Sequence, residues 1–469
     1  MFAPVIGAFI VPLLGIYSEK LRNWTSFILV LISFLGSLAL LPEVLSGSVI
    51  NVGRAFPMGM SLSFTADNLA VFMAIVSSLI SAIIILYSFG YISHYDNRNE
   101  YYLMVVLFLG AMMGIVYSSN LIFLFVFWEI TGIVSWRLIG FFREKTDVLL
   151  ADKAFLVTVF GALLMLIGFI SLYKDTGSFD MMAIKHALGT HPLTYITVLL
   201  IMAGILSKSA TLPFQTWLPD AGVAPSPVTA LLHAAVLVKI GVYVFARLFV
   251  ATFPIASLWH VVVPAIAVAS AIIAAGAAMI DTNLKRIIAY STISQIGFIF
   301  FGLASGNVIG VAGGLLYILM HGLAKAGLFL CAGIVEQGTH TKDITKLGGL
   351  IKTMPYTAIA FLFCSLSVMG VPPFGGFFSK YMVFMGGLES KQWTISAFFL
   401  FAAFFTIIYL FRVFNMVFLG DAKIAAGEKD SLMVGSVMTL AVLSLLGGLF
   451  ISYPAKFAAI AAMQMMGLK

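Results

Sequence analysis

The sequence predicts an all-α integral membrane protein of about fourteen transmembrane helices, with two inverted five-helix repeats in which helices 7 and 12 are discontinuous. Three observations predict it. The 469 residues are 61% hydrophobic and only 10% charged, against about 25% charged in soluble domains, so polar groups are too few to cover a water-soluble body. Long apolar runs recur from end to end, parted by brief loops. Two of those runs are broken at a Pro-Phe pair, Pro213-Phe214 and Pro373-Phe374, with a lysine near each break.

The runs long enough to span fall at about 2–17, 24–46, 68–92, 101–118, 120–141, 150–173, 193–218, 227–251, 260–280, 286–305, 308–335, 356–388, 392–419 and 432–453. The first is short. It lacks a basic n-region and a small-residue cleavage site, and Glu19, Lys20 and Arg22 follow it, so it reads as a retained helix rather than a signal peptide. The longest non-helical piece, Pro42–Ala66, carries Gly, Ser and Pro and reads as an ordered surface loop. The seventh and twelfth runs place Lys208 before one break and Lys380 after the other. The breaks are five helices apart, and an odd offset turns the second unit upside down, which is the pattern of inverted repeats broken at the midplane. The expected divisions are 1–100 for helices 1–3, 101–252 for helices 4–8, 253–419 for helices 9–13 and 420–469 for helix 14.

Basic residues set the expected orientation. Loops after odd-numbered runs hold Lys20 and Arg22, Arg98, Arg143 and Lys145, Lys285 and Arg286, Lys342, Lys346 and Lys352, then Lys423 and Lys429. Loops after even-numbered runs hold only Arg54, Lys174, Lys185 and Lys391. The odd loops are therefore expected in the cytoplasm, with both termini on the outer side; Lys456 and Lys469 in the tail pull slightly the other way.

Composition excludes several functions. The net charge of +7 lies in short loops without a basic-aromatic run, so no nucleic acid is expected. Cys331 and Cys364 sit singly inside apolar runs, with no CxxC spacing for a metal, cluster or disulfide framework. Walker A, GxGxxG, HExxH and nucleophile-elbow patterns are missing. No metal, no cofactor and no catalytic redox site are expected on the chain itself.

What remains is a set of charges inside apolar runs. A lysine at the centre of a membrane helix costs about 2.5–3.5 kcal/mol on insertion scales. Lys208, flanked by serines, reads as a buried ammonium or a snorkelling one. Lys239 is too deep to snorkel easily. Glu129, in mid-helix 5, reads as a partner for a buried lysine or as a hydrogen-bonded tether. His233 shares a helix with Lys239 but lies about 120° around its axis. His321 and Lys325 stand at i,i+4 on one face, a relay spacing, because imidazole accepts on one nitrogen and donates from the other. Lys380 reads as a relay group or an interfacial anchor. Arg137 reads as a snorkelling arginine, and Lys285 and Arg286 as positive-inside anchors. Together these residues outline an ion path, with protons favoured over sodium because sodium coordination wants more carboxylates and carbonyls.

KSATLPFQTWLPDAGVAPSPVTALLHAAVLVKIGVY, LKRIIAYSTISQIGFIFFGL, HGLAKAGLFL and VPPFGGFFSK resemble the antiporter-like subunits of respiratory complex I, Mrp-type Na+/H+ antiporters and energy-converting membrane-bound hydrogenases. The resemblance covers about Phe64 to Leu419. It implies a fourteen-helix fold with a hydrated polar axis. Glu129 would pair with Lys208, Lys239 or His233 would continue the path, Lys325 would link the halves and Lys380 would end it. The chain ends without a long lateral helix and is thus similar to the shorter members, including the Mrp D-type subunit. Arg137, Gly161-Ala162 and Tyr317 depart from the usual family pattern.

The expected function is a proton-translocating, non-catalytic subunit of a multisubunit complex in a prokaryotic cell membrane. The partners implied are other membrane subunits, lipids, protons, Na+ in the antiporters, and a peripheral arm with Fe-S clusters in the redox-driven members. The alternatives are a Na+/H+ antiporter subunit and a quinone-reactive oxidoreductase membrane subunit.

Overall fold

Helix starts fall where the sequence supplies a capping oxygen. In the computed structural model, which describes residues 2–55, 61–424, 426–428 and 430–468, the side chains of Ser18, Asp67, Asn120, Asp180, Thr194, Asn283, Asn307 and Asp430 each accept a backbone N–H in the first turn of the following helix. Such caps satisfy donors that a helix leaves orphaned. Lys429 and Lys469, used above for orientation, lie outside the described residues.

The first helices are α1 (Phe2–Tyr17), α2 (Glu19–Ala39) and the short α3 (Leu41–Leu45). The expected loop before residue 67 is instead partly a β-hairpin: β1 (Ile50–Ala55) pairs antiparallel with β2 (Ser61–Ala66). It is held to the bundle by Ser119 donating its N–H to Ser63 O at 3.1 Å. Alternating Asn51, Val52, Ser63, Phe64 and Thr65 suit a pleated ribbon. The first half continues with α4 (Asn68–Tyr91), α5 (Arg98–Tyr117), α6 (Leu121–Ile139), α7 (Lys145–Thr176), the short α8 (Met181–Leu188), α9 (Tyr195–Lys208), α10 (Trp217–Asp220), α11 (Ser226–Ala230) and α12 (Leu237–Phe245). The second holds α13 (Trp259–Ile280), α14 (Leu284–Ala304), α15 (Val308–Thr339), α16 (Pro355–Met369), α17 (Gly375–Glu389) and α18 (Trp393–Phe418), then α19 (Ser431–Leu449) and α20 (Ser452–Met465).

Among the described residues, eleven helices are long and apolar enough to cross a membrane, and three further apolar helices, α1, α9 and α16, are shorter. Side chains such as Ile6, Leu156, Ile196, Ile273 and Phe404 point outward and exposed, as expected of a surface solvated by lipid rather than water.

Three details differ from the sequence expectation. The run 227–251 is not one helix: π-helical turns at Leu231–Ala235 and Ala246–Thr252 flank α12. The tail after residue 453 is helical, and Gln464 accepts from the backbone N–H and side-chain Nδ2 of Asn68 at 3.0 and 2.9 Å. Arg137 does not snorkel. It pairs in a fork with Glu100, which also takes Arg143 at 2.8 Å.

The basic loops gather at one end of the bundle. Arg98 pairs with Glu19 at 2.5 Å, Lys153 and Arg286 share Asp220 at 2.7 Å each, and Lys342 pairs with Glu336 at 3.0 Å. At this end Lys423 donates to Thr345 O at 2.9 Å. Two short bridges close the connections of the two halves, Asn120 with Asp180 and Asn283 with Asp343, each partner recurring 163 residues later. Their flanking bonds recur at the same offset: Leu121 N to Phe179 O and Leu284 N to Lys342 O, then Met181 N to Ser119 O and Ile344 N to Thr282 O, at 2.8–2.9 Å. The first clamp sits beside the β-hairpin and the second among the basic loops.

Candidate functional site

Both breaks expose a helix end inside the bundle. After α9 the chain runs through Ser209–Thr216 without continuing the helix, and after α16 it runs through Gly370–Phe374. Glycine makes these junctions tight. A Cβ at Gly241 would stand 2.6 Å from Ile205 O, and one at Gly376 would stand 1.8 Å from Ser367 O. Alanine at either position would therefore push helices apart.

Lys208 closes α9. Its Nζ donates to Trp128 O at 3.2 Å and lies 5.2 Å from the Trp128 ring centroid. Gly132 on α6 lies beside it, since a Cβ there would be in ordinary contact with Nζ at 3.5 Å. Glu129 is not the close partner that the sequence led us to expect. It is half-buried and makes no hydrogen bond or ion pair with any described residue. Lys208 acts on it through space, while the Lys208 amine itself is held by the carbonyl of the neighbouring Trp128. This separation carries a prediction. Glu129→Gln should leave thermal stability within about 0.5 kcal/mol of the parent while proton uptake falls, and Lys208→Ala should also lose most uptake. A large drop in melting temperature for Glu129→Gln would mean that the two groups do touch.

Lys239 is fully buried on α12, and its Nζ lies 2.7 Å from Nδ1 of His321 on α15. This contact replaces the one the i,i+4 spacing suggested: His321 turns across to Lys239, not along its own helix to Lys325. Lys325 instead donates to Ile288 O on α14 at 3.2 Å. Lys380, on α17 beyond the second break, donates to Val368 O at 2.7 Å and sits over the rings of Phe298 and Tyr317 at 4.7 and 5.6 Å. His233 is fully buried with neither ring nitrogen paired among the described residues, its ring 4.4 Å from that of Phe329. Nε2 of His321 is likewise unpaired.

None of Lys208, Lys239, Lys325 and Lys380 makes an ion pair with a carboxylate among the described residues; each meets a carbonyl or an imidazole. Buried ammonium groups are ordinarily paired, so these four are exceptional. The structure thus joins Lys239 to His321 directly and leaves the others as separate stations on α9, α14–α15 and α17.

Sequence reasoning missed two groups. Tyr317 donates to Gln295 at 2.7 Å, and Gln295 in turn reaches Thr406 and Tyr409, with Tyr409 donating to Ser291 at 2.7 Å. The second is a buried ion pair of Lys285 with Glu336 at 2.7 Å. Lys285 was expected to be a positive-inside anchor, yet it is buried in an ion pair. An acid near the end of a long apolar run was the available signal.

With this geometry in view, the comparisons with known proteins are informative. The family profile described as "NADH:quinone oxidoreductase/Mrp antiporter, TM" matches residues 118–406, and one described as "NADH-Ubiquinone oxidoreductase (complex I), chain 5 N-terminus" matches residues 55–102. The chain belongs to this family. It is 34% identical to the Na(+)/H(+) antiporter subunit A1 of Staphylococcus haemolyticus and 33% identical to that of Staphylococcus aureus, in each case over 95% of this chain. It spans 60% of the length of those relatives. In fold it is similar to a chain of the Mrp complex from Dietzia sp. DQ12-45-1b, with a TM-score of 0.89 at 21% identity, covering 99% of this chain and 96% of that one. It is also similar to a chain of the membrane-bound sulfane sulfur reductase, an archaeal respiratory membrane complex, with a TM-score of 0.91 at 24% identity and the same coverage. Family membership and the apolar helices make this a multi-pass membrane protein.

Proposed function

We propose that this chain is a proton-translocating, antiporter-like subunit of a multisubunit complex in a prokaryotic cell membrane. It moves H+ along Glu129, Lys208, His233, Lys239, His321, Lys325 and Lys380. The observation that carries the reading is the 2.7 Å contact between the fully buried Lys239 amine and His321. A proton can pass between amine and imidazole along one hydrogen bond, because each nitrogen offers a lone pair when neutral and an N–H when protonated. Buried polar atoms with no partner among the described residues, on His233, His321, Ser294, Ser365 and Ser367, suit a path whose gaps are bridged by water.

The same reading counts fourteen crossings and two inverted units, roughly 101–252 and 253–419. Support comes from the clamps that recur at a constant 163-residue offset at opposite ends of the bundle, and from the two matching breaks. Helices 1–3 and the last segment flank these units. The basic end of the bundle faces the cytoplasm, and both termini face outward. Single cysteines near Arg143 and Lys352, in a chain with Cys331 and Cys364 replaced, should resist impermeant reagents applied to intact cells. Labelling of either from outside would reverse the orientation.

A second reading, a Na+/H+ antiporter subunit, is favoured by the names of the relatives. Purification in mild detergent separates the cases. Companion subunits with Fe-S clusters indicate a redox-driven pump; small hydrophobic companions without clusters, and a pH gradient that collapses on adding Na+ to vesicles, indicate an antiporter. Vesicles holding the whole complex that move no protons under any of these drives would overturn both readings.

A further inference from the structure

At the basic end of the bundle lies a polar pocket of about 720 Å3, lined in part by Tyr91, His94, Tyr95, His340, Lys342 and Asp343, with Glu336 on its wall. Three charges step inward from it. The Lys342 side chain is 33% exposed, Glu336 21% and Lys285 2%. Glu336 Oε1 takes Lys342 at 3.0 Å and Oε2 takes Lys285 at 2.7 Å, with Ser226 on α11 donating to Oε2 at 3.3 Å. Lys285 also donates to Ala224 O at 3.0 Å. It lies on α14 one turn before Ile288, whose carbonyl holds the Lys325 amine. On α15 itself, Glu336 follows Lys325 by eleven residues, three helical turns, and so shares its face. Gly333 keeps that face open where Tyr87 and Ser226 approach, since a Cβ there would meet them at 2.5 and 2.6 Å.

We propose that Glu336 is the proton-entry carboxylate for the axis, passing protons through Lys285 to Lys325. The proposal rests on the reading of that axis as a proton path. A proton from the pocket water protonates the Glu336 carboxylate and breaks its ion pair with Lys285. The Lys285 ammonium, now without its counter-charge, gives a proton to water lying between it and the Ile288 turn, and that water hands a proton on to the neutral Lys325 amine. The neutral Lys285 amine then takes the proton held by Glu336 and restores the pair. One proton has moved from solvent to Lys325, and every other group is as it began. A metal cation does not suit the same spot, because the one carboxylate already faces two ammonium groups and its nearest hydroxyl is a donor. The groups that face Glu336 from the elements around it are Lys285 on α14, Lys342 in the following loop, Ser226 on α11 and the Tyr91 end of α4.

Two measurements on the intact complex test this. In a chain with Cys331→Ala and Cys364→Ala, Lys285→Cys should react with a small methanethiosulfonate reagent from the basic-loop side and not from the other. No reaction from that side would overturn the entry route, whether or not the axis carries protons. In vesicles, Glu336→Gln should cut proton flux roughly tenfold or more, Glu336→Asp should retain most of it, and the neutral pair Lys285→Met with Glu336→Gln should assemble yet stay slow. Full flux in the neutral pair would make the ion pair merely structural and sink the proposal. Loss of flux on Lys325→Ala alone, with Glu336→Gln unaffected, would keep the axis and remove the entry role. Flux retained in Lys325→Ala would instead remove the axis reading and this entry route with it.

Discussion

Proton movement is expected to stop when Lys325 becomes alanine, and arginine at the same position is expected to do no better. Lys325 has no exposed surface and hangs by one hydrogen bond from Ile288 O on the neighbouring helix. It lies on α15, which also carries His321 to Lys239 on one side and Glu336 to the basic end on the other. A relay at this junction must both hold and release a proton. Alanine removes the group. Arginine keeps a charge but does not deprotonate in proteins. Uptake by reconstituted vesicles should fall by about a hundredfold or more for both variants, from about pH 6 to 9, with companion subunits still co-purifying. If arginine restored full uptake, Lys325 would supply a fixed field and no more.

The second large effect is on stability. Arg247 and Asp67 form a forked ion pair at 2.5 and 2.8 Å, nearly buried at the hairpin end of the bundle. Asp67 also caps α4 by accepting from Ala70 N at 2.9 Å, and Arg247 Nε donates to Tyr243 OH at 2.9 Å. Arg247→Ala strands the carboxylate and should cost about 3–5 kcal/mol, read as a lower melting temperature of the detergent-solubilised protein. Exchanging both partners for neutral residues, Asp67→Asn with Arg247→Gln, should recover much of that loss. Burial pushes the Asp67 carboxyl upward, but the Arg247 guanidinium beside it outweighs burial and holds it below the usual carboxylate range. The pair's contribution is therefore present above about pH 4, the ordinary carboxylate value, and is lost as the pH falls through the lower folded value. Parent protein should lose melting temperature more steeply than the doubly neutral variant on acidification below about pH 4. Parallel pH curves for the two would show that the pair contributes nothing to stability.

The sequence was most legible where burial is expensive. A lysine deep in an apolar run must be solvated by something, which is why Lys208, Lys239, Lys325 and Lys380 stand out in the sequence. The breaks were legible for a related reason, since Pro and Gly inside a membrane run leave backbone groups that need protein partners. What escaped was what lies between helices. The i,i+4 spacing relates His321 to Lys325 on one helix but says nothing of α12, from which Lys239 reaches the imidazole. The resemblance couples Glu129 with Lys208, yet the Lys208 amine takes the Trp128 carbonyl as its hydrogen-bond partner. Lys285 and Arg137 looked like ordinary anchors because they stand near run ends, where a charge is cheap. Only packing revealed that Ala224, just before α11, and Glu336 on α15 meet Lys285, and that Glu100 meets Arg137. The π-helical turns around α12 have no composition signal, since the same residues suit an α-helix.

The two backbone clamps have a consequence for how such a chain is made. Each joins residues 60 apart, Asn120 to Asp180 and Asn283 to Asp343, and neither reaches from one half of the chain to the other. A ribosome that has released the first set of helices into the bilayer has already delivered both sides of their clamp. That segment can lock its ends while the later helices are still being synthesised. The Lys239–His321 contact, which joins α12 to α15, can form only after those later helices have arrived.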